Sequence, residues 1–119
     1  MKKLLASTIV ILAALSLAGA AQASTAGQRN ALRSAQSYLR SSAFSKSGLV
    51  EQLEYERFSS SDARWAVAHV RVSWYAEAVE SAKSYLRSSS FSRQGLIEQL
   101  EYDGFTHSQA AYGVSKAYR

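Results

Sequence analysis

Few side chains in this sequence have the types and spacing that catalysis requires. A hydrolase needs a nucleophile beside a base, or two carboxylates in set positions. The two histidines, His69 and His107, occupy unrelated positions, and the many serines lie where helix ends are expected. No zinc-protease, nucleophile-elbow or phosphate-loop motif occurs, and there is no cysteine for a zinc site or a disulfide. The sequence therefore predicts a non-enzymatic protein without a cofactor or a metal.

Carboxylates form the most notable polar pattern. Two pairs of glutamates are spaced three residues apart, and the second pair repeats the first: Glu51 with Glu54, and Glu98 with Glu101. Each pair is predicted on the side of a helix opposite its leucines. One interpretation is a solvated helix face. The other is a duplicated acidic patch that binds a basic segment of a protein partner through complementary charge.

These glutamates belong to an internal duplication. A shift of 47 residues superposes residues 31–70 on residues 78–117 without a gap, and the pentapeptide EQLEY recurs unchanged at 51–55 and 98–102. Its retention could reflect partner binding or the packing of Leu53 and Tyr55. Such self-similarity is typical of tandem structural repeats. The predicted divisions are a short segment over 24–30, repeat 1 over 31–70, a helical connection over 71–77 and repeat 2 over 78–117.

Each copy predicts three short helices. Apolar residues recur at helical spacing in the first, Ser45 and Ser92 are suited to cap the second, and Ser59 and Thr106 are suited to cap the third. The predicted fold is all-α, with two three-helix, helix-turn-helix-like repeats. The predicted core consists of the large apolar residues of both copies: Leu39, Phe44, Leu49, Leu53, Phe58, Leu86, Phe91, Leu96, Leu100 and Phe105.

The junction between the repeats has no residue that must break a helix. Neither glycine nor proline occurs from Leu49 to Gln94. We therefore expect the last helix of repeat 1 to continue into the first helix of repeat 2 as one long helix. The alternative is a bend near Arg71–Tyr75 that folds the repeats onto each other.

The first 23 residues predict a signal peptide. Lys2 and Lys3 precede the apolar stretch Leu4–Ala21, and Ala21-Gln22-Ala23 fits a cleavage site. The chain is then exported, and secreted or associated with the cell surface. The alternative is an uncleaved N-terminal membrane anchor.

Charge argues against a nucleic-acid partner. Removing Lys2 and Lys3 lowers the formal net charge from +5 to +3, which gives only weak attraction to an anionic cell envelope. DNA binding by the tandem helix-turn-helix arrangement remains an alternative that would use dispersed arginines as phosphate contacts. These arginines are Arg33, Arg40, Arg57, Arg64 and Arg71.

The repeat resembles a known family. The segment from Phe-Ser through Gly-Leu-Ile/Val-Glu-Gln-Leu-Glu-Tyr to the next Phe occurs in both copies, and it is similar to the host cell surface-exposed lipoprotein (Ltp-like) repeat. The resemblance implies superinfection exclusion by a phage-borne protein outside the membrane, which blocks DNA injection by contacting the incoming phage tape-measure protein. On this reading we expect the four glutamates to contact the partner.

One feature departs from the family pattern. The lipid-bearing cysteine of these lipoproteins is missing, so anchoring is either absent or supplied by an uncleaved N-terminal helix. A general adhesion or envelope-binding module is the alternative function. The sequence leaves the oligomeric state open.

Overall fold

The computed structural model describes residues 23–119, and the predicted signal peptide lies outside this part except for Ala23. Six α-helices occupy the described residues, three in each repeat. Repeat 1 contains α1 (Ala26–Ser41), α2 (Lys46–Tyr55) and α3 (Ser60–His69). Repeat 2 contains α4 (Trp74–Ser88), α5 (Arg93–Tyr102) and α6 (His107–Ala117). The first helix of each repeat begins within the predicted flanking segments 24–30 and 71–77, so both repeats start earlier than predicted. None of these six helices has both the length and the apolar character needed to cross a membrane.

Hydroxyl side chains set where the helices begin. Each helix follows a serine or threonine whose side-chain oxygen accepts a backbone N–H of the first turn, which satisfies a donor that the helix itself leaves free. The predicted caps at Ser45, Ser59, Ser92 and Thr106 are confirmed. Thr106 also forms a reciprocal capping box with Gln109.

Each repeat has its own small core. In both repeats the first and third helices pack against each other, and the middle helix packs across them. The first cluster consists of Ala31, Ala35, Leu49, Leu53, Ala63, Ala66 and Val67. The second consists of Ala78, Ala82, Leu96, Leu100, Phe105, Ala110 and Val114. Alanine supplies much of both interiors, so the helices approach closely.

The structure divides the ten predicted core residues into two groups. Five of them are buried: Leu49, Leu53, Leu96, Leu100 and Phe105. The others are partly buried and pack around the clusters: Leu39, Phe44, Phe58, Leu86 and Phe91. The buried alanines lie outside the predicted core, which contained only large side chains.

Helices α4 and α6 approach each other closely. A Cβ placed on Gly113 would lie 2.7 Å from the backbone carbonyl of Ala78. Gly113 is therefore required by packing rather than by its backbone conformation. This contact fixes the first and third helices of repeat 2 against each other.

The prediction of one long shared helix is wrong. α3 ends at His69, Val70 adopts an extended conformation, and Ser73 caps a new helix by accepting the Ala76 N–H. The β-branched Val70 and Val72 favour extended backbone, and Trp74 packs against the core of repeat 1. The break begins just before the region where the alternative placed a bend.

The two repeats contact each other through hydrogen bonds. The Phe44 N–H donates to Glu77 Oε1 at 3.0 Å, Ser45 Oγ donates to the Asp103 carbonyl at 2.6 Å, and Ser47 Oγ donates to the Gly104 carbonyl at 3.3 Å. The α1–α2 corner of repeat 1 thus docks on the α5–α6 turn and on α4. The repeats therefore contact each other at this corner and are not joined by one shared helix.

Candidate functional site

Among residues 23–119, the most exposed large apolar side chains occupy the same position in both repeats. Tyr55 at the end of α2 is 83% exposed, and Tyr102 at the end of α5 is 88% exposed. Leu53 and Leu100, two residues earlier, are completely buried. Packing therefore accounts for the leucine of the retained EQLEY segment but not for its tyrosine.

The two glutamates of each predicted pair differ in their surroundings. Ser60 Oγ donates to Glu54 Oε2, and His107 Nδ1 lies 3.4 Å from Glu101 Oε1. Ser60 and His107 are the first residues of α3 and α6, where a carboxylate is also favoured by the helix dipole. Glu54 and Glu101 thus connect the second helix of each repeat to the third.

Glu51 and Glu98 point more freely into solvent. Both are exposed, and the contact of Glu98 is with Gln94 on its own helix, at 3.4 Å. The structure therefore separates the four predicted site glutamates into two with inter-helix contacts and two that remain available. We define the Glu–Tyr surface as Glu51, Tyr55, Glu98 and Tyr102.

The glutamine of the retained segment belongs to a hydrogen-bond network that the sequence analysis did not predict. In repeat 1, Tyr38 donates to Glu56, and Gln52 Nε2 donates to the Tyr38 hydroxyl at 3.3 Å. Hydrogen bonding to the Glu56 carboxylate raises the pKa of Tyr38, because the phenol must keep its proton to donate. The shift of 47 residues could have revealed the network, since each member has a counterpart.

Repeat 2 contains the same network with an aspartate. Tyr85 donates to Asp103 Oδ2 at 2.6 Å, and Gln99 Nε2 contacts both the Tyr85 hydroxyl at 3.3 Å and Asp103 Oδ1 at 3.1 Å. Burial raises the pKa of Tyr85, and the hydrogen bond to Asp103 raises it further. The network ties the first helix of each repeat to the end of the second and has a structural role.

The histidines have surroundings that do not resemble a catalytic centre. The His69 ring stacks on Trp65 with centroids 4.1 Å apart, and its Nδ1 lies 2.7 Å from the Trp65 carbonyl. His107 is exposed beside Glu101. No group of three potential metal-ligating side chains occurs among residues 23–119.

A polar cleft of about 680 Å³ lies between the repeats. Arg40, Arg87, Glu77 and Glu80 contribute both signs of charge to its wall. Burial raises the pKa of Glu77, and the Phe44 N–H partly offsets this effect.

The arginines considered as phosphate contacts are exposed on α1, α3, the α2–α3 turn and the connection between the repeats. They therefore do not belong to one DNA-recognition helix.

Comparison with known proteins identifies the family. The model of the host cell surface-exposed lipoprotein family, Lipoprotein_Ltp, matches residues 27–70 and 73–116. The chain belongs to this family. Each match covers one three-helix repeat, and the family description agrees with the expected surface location.

A solved structure supports the same assignment. The chain is similar to Ltp, a superinfection exclusion protein from the Streptococcus thermophilus temperate phage TP-J34, with a TM-score of 0.74 and 28% sequence identity. The similarity covers 78% of this chain and 97% of that chain. No curated protein sequence matches the chain.

Proposed function

We propose that this family member is an exported, non-enzymatic superinfection exclusion protein that binds a protein of an incoming phage. The similarity to Ltp over nearly the whole of that structure supports the exclusion role. The Glu–Tyr surface supports the binding mechanism, because it presents the same exposed side chains once in each repeat.

The exposed tyrosines carry the mechanistic part of the proposal. Tyrosine is enriched at binding hot spots because its ring buries a large area with few rotatable bonds. Tyr55 and Tyr102 make little use of their rings within their own repeats, as their exposure shows. A partner that covers them would gain apolar burial at two equivalent points.

The exposed glutamates define the charge of the partner. Glu51 and Glu98 lie one helical turn before Tyr55 and Tyr102 on the same helices, and i, i+4 spacing places them on one helix face. Carboxylates beside an aromatic anchor favour a basic segment and speed its association. The candidate partner is a basic segment of the phage tape-measure protein, the partner that the family resemblance implies.

Retention at the cell surface is a separate part of the proposal. Residues 1–23 direct export, and either they are removed or they remain as an anchor. Mass spectrometry of the exported protein distinguishes the two, because a start at Ser24 indicates cleavage and a start at Met1 indicates an anchor.

Infection of cells that express the gene tests the exclusion role. We expect unchanged phage adsorption, reduced entry of the phage genome and a lower plating efficiency for at least one phage of a panel. Normal genome entry for every phage would contradict exclusion and leave the envelope-binding alternative.

Charge reversal tests the acidic part of the surface. The E51K/E98K variant is expected to lose exclusion at unchanged helicity, whereas E80K is the matched control because Glu80 is exposed on α4 and pairs with Lys83 at 3.6 Å. Full exclusion by E51K/E98K would show that these carboxylates do not contact the partner.

A further inference from the structure

The contact between the repeats is directional. It joins a docking corner in repeat 1, which we define as residues 44–48, to an acceptor turn in repeat 2, residues 103–104, with Glu77 beside it. Both parts have counterparts 47 residues away, namely a second corner at 91–95 and a second turn at 56–57. A directional interface whose two faces both recur could add further copies head to tail.

Glycine at position 104 makes the acceptor turn accessible. Gly104 has a φ of +103°, and a Cβ there would lie 2.1 Å from Ser47 Oγ and 2.7 Å from Ser45 Oγ. Ser45 is only 3% exposed, and its hydroxyl both donates to Asp103 and accepts the Gly48 N–H. The Ser45 hydroxyl therefore has little freedom to move away from a side chain at position 104.

Repeat 1 has an arginine at the equivalent position. Arg57 also adopts a left-handed backbone conformation, with a φ of 74°, although this region is unfavourable for a residue with a Cβ. Arg57 therefore has a Cβ at the position that glycine leaves open in the acceptor turn of repeat 2. The position is thus filled by a residue that carries backbone strain and would obstruct a docking corner.

The residue that accepts the Phe44 N–H in the docked pair, Glu77, is also changed in repeat 1. Asn30 replaces Glu77, and its side chain is engaged locally with the Ala26 carbonyl at 2.9 Å and with Arg33 at 2.6 Å. The turn of repeat 1 therefore lacks both the open glycine and the carboxylate that accepts the Phe44 N–H in the docked pair.

The corner of repeat 2, by contrast, keeps the capping serine and the glycine of the docking corner, whereas Gln94 replaces Ser47. Ser92 Oγ accepts the Gly95 N–H at 2.9 Å, as Ser45 does with Gly48. Ser92 is exposed, whereas Ser45 is buried by repeat 2. Among the described residues, no carbonyl accepts the Ser92 hydroxyl proton as Asp103 accepts that of Ser45.

We propose that Arg57 terminates the array at two repeats: it prevents the free corner of a second copy of this chain from docking on the turn of repeat 1. The chain can then present its exposed surfaces without polymerising head to tail.

A variant with an opened turn tests the proposal. R57G/N30E should self-associate as its concentration approaches about 1 mM, the order of effective concentration that a short linker provides to the docked repeats. Wild-type protein and the matched control R57K/N30E should remain monomeric, and adding S92A should reverse the association. Sedimentation velocity is the measurement. Monomeric R57G/N30E at this concentration, or equal association of R57K/N30E, would overturn the proposal.

The reciprocal substitution tests the obstruction within one chain. G104R should separate the repeats while each keeps its helices, because Arg57 shows that this turn tolerates arginine. Hydrogen exchange of the Phe44 amide should become about tenfold faster on loss of its inter-repeat bond, with unchanged helical circular dichroism. Unchanged Phe44 protection would overturn the proposed obstruction.

Discussion

The hydroxyl of Tyr85 donates to the carboxylate of Asp103 at 2.6 Å, and the main-chain carbonyl of the same Asp103 accepts a hydrogen bond from Ser45 of the other repeat. The internal network of repeat 2 thus positions the turn on which repeat 1 docks. Asp103 therefore connects the hydrogen-bond network within repeat 2 to the contact between the two repeats.

Removal of the Tyr85 hydroxyl should weaken this connection. We expect Y85F to lose about 0.5–1.5 kcal/mol of stability, the usual net value of one hydrogen bond, and to show faster exchange of the Phe44 amide. Y38F is the matched variant in repeat 1, whose turn makes no inter-repeat contact, and it should leave Phe44 exchange unchanged. Denaturation and hydrogen exchange measure the two effects. Equal Phe44 exchange in both variants would contradict the connection.

The Glu77 carboxylate should make stability depend on pH. Because burial raises its pKa above the ordinary value of 4.5, the folded state holds this proton more tightly than the unfolded state. The resulting stabilisation is fully present below pH 4.5 and is lost as pH rises through the folded-state pKa.

The E77Q variant tests this dependence. Its amide oxygen can still accept the Phe44 N–H without a desolvated charge. We expect E77Q to have a higher Tm than wild type at pH 7 and a smaller difference near pH 4, with E51Q as the control because Glu51 is exposed on another helix. A Tm difference that is independent of pH would contradict a role for Glu77 ionisation.

An added methyl group at the α4–α6 contact should destabilise repeat 2. The Cβ of G113A would lie 2.7 Å from the Ala78 backbone, so α6 must move outward, at a cost of about 1–3 kcal/mol. Chemical denaturation measures the loss, and S115A on the exposed side of α6 is the control. Wild-type stability of G113A would show that the helices can separate without loss of packing.

The sequence predicted the features that depend on local pattern. The duplication and the helix-capping serines follow from residue type and spacing. The break after His69 was missed because neither Gly nor Pro marks it; Ser73 and two β-branched valines interrupt the helix, and Trp74 docks on repeat 1. The left-handed conformation of Arg57 also has no signal in its residue type.

The candidate site was predicted only in part. The retained EQLEY segment directed the prediction to the second helix of each repeat, but its residues have different roles that only the three-dimensional packing separates. Leu53 fills the core, Gln52 bonds Tyr38, and Glu54 contacts Ser60. Docking between the repeats was also beyond local patterns, because it depends on residues more than 30 positions apart.

Genome entry of an excluded phage into cells that express tyrosine variants tests the proposed binding surface most directly. Y55S/Y102S should remain folded and exported but allow entry as in cells without the gene. The matched control is Y75S/Y112S, which removes two less exposed tyrosines whose rings contact each other at 5.3 Å, and it should still exclude the phage. Exclusion by Y55S/Y102S at the wild-type level would contradict the account.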